Sequence, residues 1–126
     1  PKARKVAPVT VALVESGGNF LIRQRPEKGL LAGLWEPLLW EGEALTPGEL
    51  HEKFTAMGLV CEAEAIAPLP EAKHIFSHIE WRMSGYSVCV GRAEAPAGCV
   101  WASREQLQNE YTLPGAFKAY KKKLGL

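Results

Sequence analysis

No stretch of these 126 residues reaches the ~18 consecutive apolar residues a membrane-crossing helix needs, and residues 1–8 lack the apolar core of a secretory signal. Both absences argue against a membrane partner or an exported protein. Cysteine is scarce as well. Cys61, Cys89 and Cys99 form an odd set with no Cys-x-x-Cys pair, which argues against a disulfide scaffold or a zinc site and for a reducing cytoplasm. Net charge is small: 15 Lys and Arg against 14 Asp and Glu leave +1, so a domain-wide field for phosphate is absent. The positive charge gathers at the two ends instead, in Lys2, Arg4 and Lys5 and in Lys118, Lys121, Lys122 and Lys123. Such runs are solvated faces or linkers, or else contacts to a DNA backbone. There is no internal repeat and no second domain. An initiator Met is also missing, so the chain reads as part of something longer. Residues 1–8 are expected to be a basic interdomain linker and residues 9–126 one compact domain.

What is present is the composition of an ordinary globular domain, 47% hydrophobic and 23% charged. Val9 to Val14 is rich in β-branched residues and predicts a buried or half-buried strand. A Gly17-Gly18-Asn19 turn joins it to a second strand over Phe20 to Arg25, and the two make a hairpin. Arg23 and Arg25 alternate with apolar residues and share one strand face, which exposure to solvent explains. Pro26 to Gly33 is a loop, and Leu34-Trp35-Glu36 begins another extended segment. The clearest helix starts after Thr46. Thr46 is an N-cap, Pro47 suits the first helical position and Glu49 completes a capping box. Leu50, Phe54 and Met57 form its apolar stripe, and Gly58 stops it.

Further on, Leu59 to Ala67 predicts a strand ending at Pro68 and Pro70. Ala72 to Phe76 and Ile79 to Val90 read as extended segments broken at Ser77-His78, and Cys99-Val100-Trp101 as a last strand. Ser103 caps a short helix over Arg104 to Asn109. Pro114 to Leu124 predicts a final helix with Phe117, Tyr120 and Leu124 on its inner face. Trp35 and Trp81 read as core. Together these elements give an α/β (α+β) sandwich, a mixed β-sheet flanked by helices in a single domain.

The order hairpin, loop, strand and Gly-terminated helix is similar to the Nudix fold. The Nudix catalytic box reads Gly-x5-Glu-x7-Arg-Glu-φ-x-Glu-Glu-x-Gly-φ, with φ apolar. Setting its last Gly on Gly58 also matches Glu43, Glu52 and Leu59. Pro37 stands in place of the first Gly, His51 of the Arg and Lys53 of the first apolar residue. Thr55 and Ala56 replace the paired glutamates. In an active Nudix hydrolase three helix carboxylates at i, i+3 and i+4 share one face and hold Mg²⁺ or Mn²⁺ against a pyrophosphate. Only Glu52 survives from that trio, and a lone exposed carboxylate does not organise such a metal. This chain is therefore expected to hold no metal and no catalytic residue, with Glu52 solvated or salt-bridged.

A second resemblance is more specific. Phe20-Leu-Ile-Arg-Gln-Arg-Pro-Glu-Lys-Gly-Leu-Leu-Ala-Gly-Leu-Trp-Glu36, Lys73-His74-Ile75-Phe76-Ser77-His78-Ile79-Glu80-Trp81 and Tyr111-Thr-Leu-Pro-Gly-Ala-Phe117 resemble, in order, the C-terminal Nudix-like domain of MutY-type adenine DNA glycosylases. Pro37 departs from that family, which commonly has Phe followed by Pro there. The resemblance implies that Phe76, Ser77 and His78 sit on a loop between strands and face 8-oxoguanine paired with adenine in double-stranded DNA. Oxidation turns guanine N7 into an N–H donor and adds a C8 carbonyl, an edge that a Ser hydroxyl can serve as donor or acceptor. Phe76 offers an apolar wedge, and His78 holds the loop or donates to a phosphate. The resemblance also implies a separate N-terminal glycosylase domain that carries an iron–sulfur cluster and excises the adenine. Neither cluster-spaced cysteines nor a helix-hairpin-helix signal occurs in this chain, which is expected to need no cofactor, to be a monomer and to work at the bacterial nucleoid. Two other readings stay open beside this one: an active Nudix hydrolase of oxidised nucleotide triphosphates, and a protein-interaction module. Without the resemblance, Phe76 is a core aromatic, Ser77 a turn residue and His78 a surface histidine.

Overall fold

A computed structural model describes residues 4–126. Its elements are β1 (Lys5–Ser16), β2 (Asn19–Gln24), β3 (Trp35–Glu41), α1 (Pro47–Ala56), β4 (Ala67–Pro68), β5 (Ala72–Ile75), β6 (Ile79–Cys89), β7 (Cys99–Ala102), α2 (Arg104–Asn109) and α3 (Lys118–Lys121), with short 3₁₀ turns at Ala63–Ala65 and Gly115–Phe117. Residues 9–14 of β1 are all buried, as a run apolar except for Thr10 requires of a strand covered on both faces. Side chains alternate across such a strand. Val9, Val11 and Leu13 pack with Trp81, Met83, Phe117 and Tyr120, whereas Ala12 and Val14 pack with Leu38, Leu50 and Phe54. The result is a three-layer sandwich: α1 covers one face of the sheet, while α2, α3 and the turns around them cover the other.

The sheet runs β4-β6-β1-β3-β2-β7, with β5 also paired to β6. β1 and β6 are parallel from Lys5↔Ile79 to Glu15↔Cys89, and the remaining pairs are antiparallel. Gly17 and Gly18, at φ 57° and 84°, supply the two left-handed residues of the β1–β2 turn. Pro37 does not stop β3. The strand pairs with β2 up to Pro37 and with β1 from Leu38 onward, so the missing N–H falls where the ladder changes partner.

Three expectations are corrected. The strand begins at Lys5 rather than Val9, because Lys5 to Pro8 pair with Ile79 to Arg82 and Ala7 is buried in the core; residues 1–3 of the expected linker lie outside the described residues. The segment 59–67 is not a strand. Its buried residues, Leu59 and Ile66, are too far apart for alternation, and the chain between them turns through Ala63–Ala65 with Val60 exposed. Only two residues then pair, as β4, before Pro70. The final helix is also broken. Gly115–Phe117 is a 3₁₀ turn, and Phe117 at φ −100°, ψ 15° leaves helical geometry before α3 starts. Phe117, Tyr120 and Leu124 are nonetheless buried on the inner face.

Candidate nucleic-acid interface

β5 and the start of β6 form a hairpin, with Ile75↔Glu80 and His74↔Trp81 as cross-strand partners. Phe76, Ser77 and His78 make its tip. The Phe76 N–H donates to the Ile79 carbonyl at 2.8 Å, and the Lys5 N–H donates to the His78 carbonyl at 3.2 Å. The backbone is thus tied on both sides while the side chains of Ser77 and His78 remain exposed. Phe76 is half-buried. Its ring lies edge-on to Trp81, with centroids 5.1 Å apart at 74°, and to His74 at 4.7 Å and 66°; such edge-to-face pairs are favoured by the ring quadrupoles. Beside the tip, the buried carboxylate of Glu80 accepts from Arg82 Nε at 2.9 Å and from Arg4 Nη2 at 3.5 Å. The Arg82 hydrogen bond above all holds that carboxyl below the usual range, with help from Arg4 and the field of Lys73.

Behind the tip lies a cluster whose character sequence reasoning missed. Arg25 is only 9% exposed. Its Nη1 lies 2.7 Å from both Glu36 Oε1 and Glu41 Oε1, and its Nε donates to the Leu30 carbonyl at 2.8 Å. Burial works against its charge, but the hydrogen bonds and fields of Glu36 and Glu41 outweigh burial and raise its pKa. Arg23 Nε donates to the other oxygen of Glu36 at 2.9 Å. Solvent exposure therefore does not explain this pair of arginines. Partners of opposite sign at Glu36 and Glu41 were the available signal.

The helix that would hold a metal in a Nudix hydrolase is α1. Its groove is lined by Trp40, Glu43, Leu45, Glu49, Glu52, Lys53, Ala56 and Met57. Glu43 lies 3.7 Å from Lys53 Nζ, and Glu49 is occupied in the capping box, where it accepts from the Thr46 N–H at 2.9 Å. Glu52 is exposed, and Thr55 returns its hydroxyl proton to the His51 carbonyl. These residues do not fit a divalent cation. Among the described residues, no group of three His, Cys, Asp or Glu is placed to hold one.

A mixed sheet with a parallel pair inside it, a capped helix across one face and short helices across the other defines a domain of Nudix architecture. By sequence the chain belongs to the NUDIX domain family, which it matches over residues 9–123. It is similar to the adenine DNA glycosylase of Mus musculus, with 37% identity over 105 residues. That match takes in 74% of this chain and 19% of that protein, so the chain spans about a fifth of its relative's length. Among solved structures it is similar to the C-terminal domain of mouse MUTYH, determined in complex with human PCNA (TM-score 0.66, 26% identity, 93% of this chain and 88% of that one). It is also similar to a MutT protein from Methanosarcina mazei Go1 (TM-score 0.69, 17% identity, 99% and 96% covered), a likeness that speaks for the fold alone.

Proposed function

We propose that this chain is the lesion-recognition domain of an adenine DNA glycosylase. In this reading it binds 8-oxoguanine paired with adenine in double-stranded DNA, without chemistry of its own, while a separate N-terminal domain excises the adenine. The observation that carries the reading is the β5–β6 tip, where two exposed polar side chains, Ser77 and His78, follow a phenylalanine anchored on a buried tryptophan. Similarity to adenine DNA glycosylases and the unfit carboxylates of α1 support it. Ser77 is assigned the altered N7–O8 edge, because a hydroxyl both donates and accepts. Phe76 is assigned the wedge against a base step, with its inner edge held by Trp81 and His74. His78 is assigned a phosphate, since the loop is held by its backbone carbonyl rather than by its ring. The expected setting is a monomer in the cytoplasm at the bacterial nucleoid, with any iron–sulfur cluster in the N-terminal domain. Two domains sharing one duplex gain by effective concentration, so this domain alone binds weakly.

The test compares the full-length glycosylase on duplexes holding 8-oxoguanine:adenine and guanine:adenine. Ser77→Ala is expected to cost roughly tenfold in discrimination, the worth of one good base-edge contact. Unchanged discrimination sinks the assignment. In parallel, Mg²⁺-dependent hydrolysis of oxidised nucleotide triphosphates by this chain, abolished by Glu52→Gln, would establish the hydrolase reading instead.

A further inference from the structure

The tip does not stand on the hairpin backbone alone. The Arg25 guanidinium carbon lies 5.5 Å from the centre of the Trp81 ring, within reach of a cation–π contact. Trp81 is fully buried and carries Phe76 on another side, with Phe117 6.1 Å away. A continuous series of contacts thus runs from Glu36 and Glu41 through Arg25 and Trp81 to Phe76. A buried ion pair adds little stability over apolar side chains of the same volume. What it does supply is orientation. A planar guanidinium held by two carboxylates and the Leu30 carbonyl has one setting, and so does the ring packed against it.

We propose that Arg25 is a positioning residue for the hairpin tip: gripped by Glu36, Glu41 and the Leu30 carbonyl, it fixes Trp81, and Trp81 fixes Phe76 and with it Ser77 and His78. The arm of this proposal that concerns DNA rests on the lesion-recognition reading above; the mechanical arm does not. Lys in place of Arg25 keeps the charge but has no fork to span three acceptors, so charge alone does not restore the placement.

The two arms are tested separately. The full chain is labelled with 4-fluorophenylalanine at its four phenylalanines, Phe20, Phe54, Phe76 and Phe117, and followed by fluorine NMR. Arg25→Met and Arg25→Lys are both expected to shift and broaden the Phe76 signal while leaving Phe54, in the opposite core, where it was. An unmoved Phe76 signal overturns the proposal. Should Arg25→Met not fold, Glu41→Gln weakens one grip at a half-exposed position, by removing its charge, and is expected to give a smaller displacement in the same signal. For the second arm, Arg25→Met in the full-length glycosylase is expected to lower discrimination between 8-oxoguanine:adenine and guanine:adenine on the order of tenfold, as Ser77→Ala does. A comparably destabilised Val88→Ala protein, altered in the opposite core, is expected to keep its discrimination. If Arg25→Met keeps discrimination while Ser77→Ala loses it, Arg25 does not position the reader. If Ser77→Ala keeps it too, the recognition reading fails, and the fluorine signal still decides whether Arg25 places Phe76.

Discussion

Gly85 and Tyr120 compete for one volume. A Cβ built on Gly85 meets Tyr120 Cε1 at 2.5 Å and its hydroxyl oxygen at 2.8 Å, so the phenol lies directly over the backbone of β6. Gly85→Ala is therefore expected to cost about 1–3 kcal/mol, the usual range for overpacking. A urea titration measures it, and combining the change with Tyr120→Leu is expected to recover part of the loss. The Tyr120 hydroxyl itself is buried without a hydrogen-bond partner among the described residues. Burial, with a smaller contribution from Glu71, pushes its pKa up to about 12 from 10.0. A phenol whose folded pKa is raised keeps its proton where the unfolded chain has lost it. Its stabilising effect is thus complete below pH 10 and falls away between about 10 and 12. Absorbance titration is expected to show a late-ionising phenol that Tyr120→Phe removes. Tyr120→Phe is expected to flatten the alkaline loss of stability and to cost nothing at neutral pH, since it removes an unsatisfied group. A Tyr120→Phe protein as alkali-sensitive as the parent would contradict this account.

At the scale of elements, the capped helices were the most legible parts of the chain because their signals are local. Thr46 accepts from the Glu49 N–H at 3.2 Å while Glu49 accepts from the Thr46 N–H at 2.9 Å, and Ser103 and Gln106 repeat the arrangement at α2. Thr46→Ala is expected to cost about 1 kcal/mol, read as a lower thermal midpoint. No change would mean that tertiary packing alone sets where α1 starts. The hairpin tip was legible for a similar reason, since Ser77 and His78 interrupt two extended segments. Segment 59–67 misled because its apolar residues serve the core from an irregular path, and composition does not separate that from a strand. Nor was the burial of Arg25 legible. Alternation puts Arg23 and Arg25 on one face without saying which face is covered, and the covering partners, Glu36 and Glu41, arrive only when β3 folds between β2 and β1. Phe76 likewise owes its anchoring to the β5–β6 register, which sets His74 opposite Trp81.

For the whole molecule the consequential strand is β1, because it feeds both cores. Val11 points into the layer beneath Trp81 and Phe117, and Ala12, the next residue, into the layer beneath Phe54, against which Trp40 packs. Neither layer keeps its packing if β1 leaves the sheet, so the domain is expected to unfold in one cooperative step. Two proteins test this, each keeping one tryptophan, Trp40 on the α1 side or Trp81 on the other, with the remaining tryptophans changed to Phe. Their fluorescence transitions in urea are expected to share a midpoint with the far-UV circular dichroism of the same sample. Val11→Ala, a cavity on the Trp81 side alone costing on the order of 2 kcal/mol, is expected to shift the Trp40 transition as far as the Trp81 transition. If Trp40 instead kept its midpoint, the two layers would be separate cooperative units.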